Sequence, residues 1–273
     1  MADDCIFIIL SHNSEAYLRG CLDSVLALSA VRPLIYIADN GSSDASAGMI
    51  KDYAEKHEGQ VDPLFLDKNL GTTVPRNRLI KKALKDHPDA SYVCVLDSDT
   101  VINDDAVRFL KEALDSDKDV MIAAPRMFNG DGVEQMSVKK FPRLRSKLMK
   151  ACPIKSVEEK GRKAEAYDFF PAKEWDTNIY EAQYAISACW FMRRGTYEIL
   201  GPLDEKIFYA PEDVDYCATA AEKGGKVVLV SGARILHLTQ RISKKKLISR
   251  MNFLHIKGLI YFSKKHRDLI KKL

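Results

Sequence analysis

Short apolar runs alternate with stretches of helical spacing along the first 125 residues. Cys5–Leu10 is an unbroken apolar run that closes in Ser11-His12-Asn13. Apolar residues then recur at Leu18, Leu22, Val25, Leu26 and Leu28, the spacing of one helix face, with Ser14 placed to cap it. Leu34–Ala38 predicts a second strand, closed by Asp39-Asn40-Gly41-Ser42-Ser43-Asp44. Asn-Gly turns the chain there, and Asp44 can cap a helix running to about His57. A strand over Pro63–Leu66 and a helix over Thr73–Lys85, with Pro75 in its first turn, come next. A strand over Tyr92–Leu96, a helix over Asp104–Leu114 and a strand over Val120–Ala124 complete the series. Such alternation predicts parallel βαβ units with right-handed crossovers, in an α/β fold whose sheet is covered on both faces. Ligands of these sheets bind beyond the carboxyl ends of the strands. The polar clusters Ser11–Asn13, Asp39–Asp44, Asn69–Gly71 and Asp97–Asp99 all fall at those ends.

The period breaks down over 125–185, where Pro125, Gly130, Gly132, Pro142, Pro153, Gly161 and Pro171 interrupt it. This reads as a loop-rich excursion at the rim, on the acceptor side, within one unit spanning 1–240. Order returns in predicted strands at Tyr184–Met192, Val227–Val230 and Ile235–Leu238. Residues 241–273 form a basic tail, with helical spacing at Leu247, Ile248, Met251 and Leu254. The tail carries eleven Lys and Arg against one acid, Asp268, whereas the whole chain has 42 basic and 38 acidic groups. The rest is therefore net acidic, which argues against a nucleic-acid enzyme. A basic amphipathic helix predicts docking on an anionic membrane surface; packing of Phe253–Phe262 on the main unit is the alternative.

Composition narrows the class further. A hydrophobic content of 46% with 29% charged residues is that of a globular protein, and no apolar run nears the ~18 residues that span a bilayer. The first residues lack a basic n-region, so the expected location is cytoplasmic, extending to the inner face of the plasma membrane through the tail. None of the six cysteines sits at CxxC spacing, and they read as reduced core thiols. No GxGxxG or GxxxxGK[ST] pattern marks a dinucleotide or P-loop site.

Three constellations carry candidate chemistry. Asp97-Ser98-Asp99 follows a buried strand, and two carboxylates so spaced in a turn can face one hard cation, Mn²⁺ or Mg²⁺. Taken alone the pair reads equally as a solvated acidic turn. Glu212-Asp213-Val214-Asp215 places three carboxylates at a helix start, where the dipole offsets part of their repulsion. Crowding there raises the pKa of one of them, as a general base requires; simple helix capping is the alternative. His237 lies in the apolar run Ile235–Leu238 and is either a hydrogen-bonded core residue or a metal ligand. Trp190 is a sugar-stacking platform on the acceptor side or a core residue.

In their order these pieces resemble the family-2 inverting glycosyltransferases of the GT-A fold, in the bacterial rhamnosyltransferase-like branch. The resemblance rests on Ile8-Ile9-Leu10-Ser11-His12-Asn13, the Asp39–Asp44 turn, Asn69-Leu70-Gly71 with Arg76-Asn77, and Asp97-Ser98-Asp99. It continues through Arg193-Arg194-Gly195, Gly201-Pro202-Leu203-Asp204-Glu205, Glu212–Asp215 and His237. It implies a nucleotide-sugar site in which Ser11, Asn13 and Glu15 line the nucleotide pocket and Asp39 meets the pyrimidine of a UDP- or dTDP-sugar. Asn69, Gly71, Arg76, Asn77 and Ser98 belong to that donor side. Asp97 would sit near the ribose and the metal, with Asp99 and His237 as metal ligands. Asp213 would be the general base for an acceptor hydroxyl, on a glycan or a lipid-linked molecule, with Glu212 and Asp215 supporting that base or the acceptor. Two departures stand out: Ser-His-Asn where the family more often has Thr-Tyr-Asn, and Ser187 or Ala188 where it has glycine. A sugar-nucleotide-binding protein without turnover is the competing reading, and a sugar nucleotidyltransferase a further one. The latter normally carries a Gly-rich loop after the first strand, and none is present.

Overall fold

The structure is a computed structural model that describes residues 3–142, 149, 154–168, 173, 176–238 and 250–272. The first apolar run becomes β1 (Asp4–Ser11) and the alternation follows as expected. It runs α1 (Glu15–Leu26), β2 (Arg32–Asn40), α2 (Ser46–Lys56), β3 (Val61–Leu66), α3 (Thr73–Asp86), β4 (Tyr92–Asp97), β5 (Thr100–Val101), α4 (Asp104–Ser116) and β6 (Val120–Phe128). Then come β7 (Glu134–Gln135), β8 (Val138–Lys139), α5 (Lys155–Lys163), β9 (Ile179–Ala182), β10 (Tyr184–Ala185) and β11 (Cys189–Arg193). The chain closes with α6 (Arg194–Leu200), α7 (Glu212–Glu222), β12 (Lys226–His237), α8 (Arg250–Lys265) and α9 (Arg267–Lys272).

The loop-rich excursion at 125–185 carries some regular structure: Pro125–Phe128 extends β6, and four short strands and α5 follow among the described residues. Two expectations need correction. The strand expected over Tyr184–Met192 is broken between β10 and β11, which pair in different sheets. The two strands expected after residue 226 are one long strand, β12, whose register shifts between Val230 and Arg234. The extra residues Ser231–Ala233 are absorbed there as an irregularity, as bulges do. Of the tail, residues 239–249 lie outside the described residues.

The main sheet runs β3-β2-β1-β4-β11-β6-β12-β5, with β7 beside β6 and β9 beside β12. β1, β2, β3 and β4 are mutually parallel, and β6 is parallel to β12. β11 runs antiparallel between β4 and β6. Alternation along β1 divides the core in two. Cys5, Phe7 and Ile9 face α1, α2 and α4 through Leu18, Leu22, Ile50, Val107 and Leu110. Ile6 and Ile8 face α3 and α7 through Leu79, Ile80, Ala83 and Ala218. Each such aliphatic side chain contributes about 1.5–3 kcal/mol on burial. Phe262 of α8 is buried in this second cluster with Trp190, so the described part of the C-terminal segment packs against the unit.

The N-terminal turn of α3 holds the loop that leads into α7. Thr72 N donates to Phe208 O (2.8 Å) and Thr73 Oγ1 to Ile207 O (2.9 Å). Gly71 makes this approach feasible: its φ is +83°, and a Cβ there would lie 1.9 Å from the Phe208 carbonyl oxygen. Gly71→Ala is therefore expected to destabilise the protein by more than the ~1–2 kcal/mol that a left-handed backbone costs an L-residue. Urea unfolding measures this; an unchanged midpoint would show that the loop does not dock here.

Candidate active site

The parallel register puts the expected donor-side residues on one rim. Ser11 pairs with Asp39 across β1 and β2, and Leu10 pairs with Asp97 across β1 and β4. The loops leaving β1 and β2 are tied together. Asn13 N donates to Ser42 Oγ (2.9 Å), and the Asn13 side-chain oxygen accepts from Ser43 N (2.8 Å). Glu15 N donates to Asp44 (3.1 Å) while Ala45 N donates to Glu15 (2.8 Å), so each carboxylate serves the opposite helix start. The Ser14 hydroxyl, expected as a helix cap, instead lies 2.6 Å from the buried Ser11 hydroxyl. Asp39 is buried; one oxygen accepts from Ser42 N (3.1 Å), and the other, Oδ1, has no hydrogen-bond partner.

Two donor-side expectations change in character. The Asn69 side-chain oxygen accepts from Gly71 N (2.8 Å) and from Asn40 (3.2 Å), so Asn69 shapes its own turn. Asn77 donates to Leu203 O (2.9 Å) and Glu205 (3.0 Å) and accepts from Leu203 N (2.9 Å). Its amide is committed to holding the 203–205 loop and is a staple rather than a nucleotide contact. Ser98 is buried between the two aspartates.

Strand pairing assembles the metal-type cluster. β5 pairs antiparallel with the end of β12, His237 opposite Thr100, and Leu238 N donates to Asp99 O (2.8 Å). Ligand atoms of Asp97, Asp99 and His237 consequently lie within 4.8 Å of one another. His237 Nε2 is 3.5 Å from Asp99, and Nδ1 is 2.9 Å from the Gln135 side-chain oxygen. Gln135 also donates to His237 O (2.6 Å) and so fixes the ring from behind. Burial pulls the His237 pKa down, but the Asp99 carboxylate outweighs this and the net shift is upward. Two carboxylates and an oriented imidazole suit a divalent cation of the Mn²⁺ or Mg²⁺ kind.

Arg76 joins this cluster to the start of α7. Its guanidinium is buried and donates to Asp97 (2.7 Å), Glu212 (3.3 Å) and Ser187 Oγ (3.0 Å). The Ser187 hydroxyl donates to Glu212 (3.1 Å). Burial, then the neighbouring Asp213, push the Glu212 carboxyl up to about 8 against the pull of Arg76. Asp97 is likewise raised, by burial above all. Asp213 is half-buried in the first turn of α7, where its carboxylate accepts from Val214 N (2.8 Å).

Two residues entertained for the acceptor side face the interior. Trp190 has no exposed surface; it donates to Ala185 O (3.0 Å) and stacks on Tyr216 with centroids 5.4 Å apart. A ring so enclosed is core and cannot receive a sugar. Asp215 is buried, with its two oxygens on His266 (3.0 Å) and Lys265 (2.8 Å), so it anchors the C-terminal helix rather than an acceptor. Gln135, Lys265 and His266 escaped the sequence reading. No local pattern marks them, because each acts on a residue some 50 to 100 positions away.

Against known proteins, residues 6–201 match the model of glycosyl transferase family 2. Poly-beta-1,6-N-acetyl-D-glucosamine synthase of Staphylococcus epidermidis is 34% identical over 106 residues, which is 39% of this chain and 24% of that protein. Glycosyltransferase GlyA of Streptococcus pneumoniae is 30% identical over 132 residues, 47% of this chain and 18% of that protein. The matches thus span a quarter or less of these relatives. Among solved structures, GalNAc-T7 with UDP, GalNAc and Mn²⁺ aligns at TM-score 0.69 and 16% identity, over 96% of this chain and 48% of that one. A mannosyltransferase from Pyrobaculum calidifontis, with GDP-Man and Mn²⁺, aligns at 0.60 and 15%, over 97% and 64%. These likenesses establish the GT-A fold.

The Glu212 environment predicts a pH signature. Between about 4.5 and about 8 the folded state keeps a proton that the unfolded chain has released. Stability should therefore fall as pH rises through that window, by up to ~1.4 kcal/mol per pH unit from this group. Glu212→Gln should flatten that part of the slope in unfolding curves taken between pH 5 and pH 8. A variant with the wild-type slope would place the retained proton elsewhere.

Proposed function

The chain belongs to glycosyl transferase family 2, and we propose that it moves a sugar from a UDP- or dTDP-sugar to a hydroxyl of a glycan or lipid-linked acceptor, with inversion. The observation that carries this is the buried Arg76 bridge. It ties the Asp97–Asp99–His237 cluster to the helix turn that bears Asp213. On the donor side, Asp39 Oδ1 is a spare acceptor suited to a pyrimidine N–H, and Ser11, Asn13 and Glu15 shape the loops around it. The structural neighbours were solved with UDP, GDP-Man and Mn²⁺, which supports a nucleotide-sugar donor and a divalent ion. The likeness to poly-beta-1,6-N-acetyl-D-glucosamine synthase supports a role in polysaccharide synthesis.

Asp97, Asp99 and His237 would hold Mn²⁺ or Mg²⁺, which when bound neutralises charge on the departing nucleotide diphosphate. Asp213 accepts the proton of the acceptor hydroxyl as its oxygen bonds to the anomeric carbon. The bond from that carbon to the diphosphate breaks on the opposite face. Glu212, buried beside Asp213 and held by Arg76 and Ser187, keeps the turn in place.

The test uses dTDP-rhamnose, UDP-GlcNAc, UDP-galactose and UDP-glucose with Mn²⁺, reading donor binding by calorimetry and diphosphate release by turnover. Asp213→Asn should lose ~10²–10⁴-fold in turnover with donor affinity nearly kept. Asp99→Ala and excess EDTA should abolish metal-dependent binding, and NMR of the product should show inverted configuration. Donor binding without any turnover would leave a binding protein. Full activity in Asp213→Asn would move the base.

We further propose that the outer face of α8 rests on an anionic lipid surface at the inner face of the plasma membrane, where a lipid-linked acceptor would be met. Among the described residues no helix is long and apolar enough to cross a membrane. Ile256 (56% exposed) and Ile260 (52%) stand one turn apart, with the exposed Lys257, Lys264 and Arg267 around them. Each cation near anionic lipid contributes ~1 kcal/mol. Vesicles of phosphatidylglycerol should co-sediment the protein at low salt and release it at high salt. The double variant Ile256→Ser, Ile260→Ser should bind several-fold more weakly; unchanged binding would remove α8 from the contact.

A further inference from the structure

The inner face of α8 meets the catalytic turn directly. Gly258 has no room for a side chain: a Cβ there would lie 2.5 Å from the Ala210 carbonyl oxygen and 2.7 Å from Pro211 Cδ. Ala210 and Pro211 immediately precede Glu212-Asp213. One turn further along α8, Tyr261 donates to Asp204 (2.7 Å), and Phe262 is fully buried with its ring 6.0 Å from that of Phe141. Another turn on, Lys265 donates to Asp204 (3.0 Å) and Asp215 (2.8 Å). His266 Nε2 lies 3.0 Å from Asp215, and its Nδ1 lies 2.9 Å from Glu222. Residues 258, 261, 262, 265 and 266 share one helical face.

These contacts grip both sides of the proposed base. Gly258 presses on the backbone just before it, and Lys265 and His266 hold Asp215 two residues after it. The chemistry is more than helix docking requires. Phe262 alone would bury α8, whereas Asp215 and His266 are 3% and 1% exposed. A charge taken so far from water is costly unless paired in a fixed geometry, so the pair admits one register of α8 against α7.

We propose that α8 is a positioning clamp for the transfer reaction: Gly258, Lys265 and His266 fix the Ala210–Asp215 turn so that Asp213 keeps one place relative to the Asp97–Asp99–His237 cluster. The clamp's catalytic meaning rests on the transferase reading above; its mechanical existence does not. None of the three residues touches donor or acceptor, and each acts through the turn.

The experiment compares full-length wild type with Gly258→Ala, Lys265→Met, His266→Gln and the conservative Lys265→Arg, and with Ser263→Ala on the solvent side of α8. Three quantities are read: amide hydrogen exchange of peptides covering 204–216, calorimetric binding of UDP with Mn²⁺, and kcat and KM with whichever of the four sugar nucleotides wild type uses. In the first three variants exchange across 208–215 should rise several-fold while the β1–β4 peptides stay unchanged. Their kcat should fall ~10-fold or more, as a small misplacement of a reacting group does, with UDP affinity and donor KM within a few-fold of wild type. Lys265→Arg should recover most of kcat, and Ser263→Ala should match wild type. Unchanged exchange and kcat in the three variants would overturn the clamp. So would a general rise in exchange with kcat and donor KM failing together, which would mark a residue of fold stability only. If wild type turns over none of the four donors, the transferase reading fails, and the exchange data alone decide whether α8 holds the turn.

Discussion

The site is organised around one buried cation. Arg76 has almost no exposed surface and reaches Asp97 from one side and Glu212 from the other. Burying a guanidinium is costly unless its carboxylate partners are fixed, and losing a partner of such a pair typically costs ~3–5 kcal/mol. The two acidic motifs are 115 residues apart in sequence yet share this single counter-charge. Arg76 can sit there because α3 begins with the Gly71 turn, which is pressed against the loop leading into α7. The donor-side rim and the proposed base are thus parts of one packed unit.

That unit has more acid than base. Arg76 faces Asp97 and Glu212, with Asp99 and Asp213 next to them in the chain, and His237 is neutral or singly charged. With Glu212 keeping its proton up to about pH 8, three carboxylates around one guanidinium and one imidazole still leave a local excess of negative charge, held in a partly desolvated rim. A divalent cation held by Asp97, Asp99 and His237 would offset that excess. The same arithmetic explains why Gln135 matters. It holds His237 through both ring nitrogen and backbone carbonyl, so the imidazole presents one nitrogen toward the carboxylates.

Much of the fold was legible in sequence because the first 125 residues obey local rules. Apolar runs of four to six residues, Asn-Gly and Gly turns, and helical spacing all point to the same elements, and the structure has those elements within a few residues of their expected bounds. Legibility failed where structure depends on distant partners. β12 was read as two strands because Ser231-Gly232 interrupts its apolar pattern, although the strand continues through a register shift against β6. The 125–185 region hid four short strands, since strands of two to four residues carry too little period to read. In the site, Asp97, Asp99 and His237 are brought together as expected. Of the two readings of Trp190 the core one holds; sequence leaves both open because an aromatic beside a polar rim looks the same whether it faces in or out.

The fate of Asp215 follows from helix geometry. Asp213 and Asp215 lie in the first turn of α7, two residues apart, and therefore project roughly 160° from one another. If one faces the rim, the other must face whatever packs behind the helix. In this chain α8 packs there, and it brings Lys265 and His266 to meet the second carboxylate. The basic character of the C-terminal segment then has two separate sources. Lys265 and His266 face inward and are consumed in holding α7, while Lys257, Lys264 and Arg267 remain on the surface. A charge count alone merges these populations and assigns all of them to a partner outside the protein. Geometry divides them, so that the same helix both packs on the turn bearing the proposed base and presents a cationic face outward.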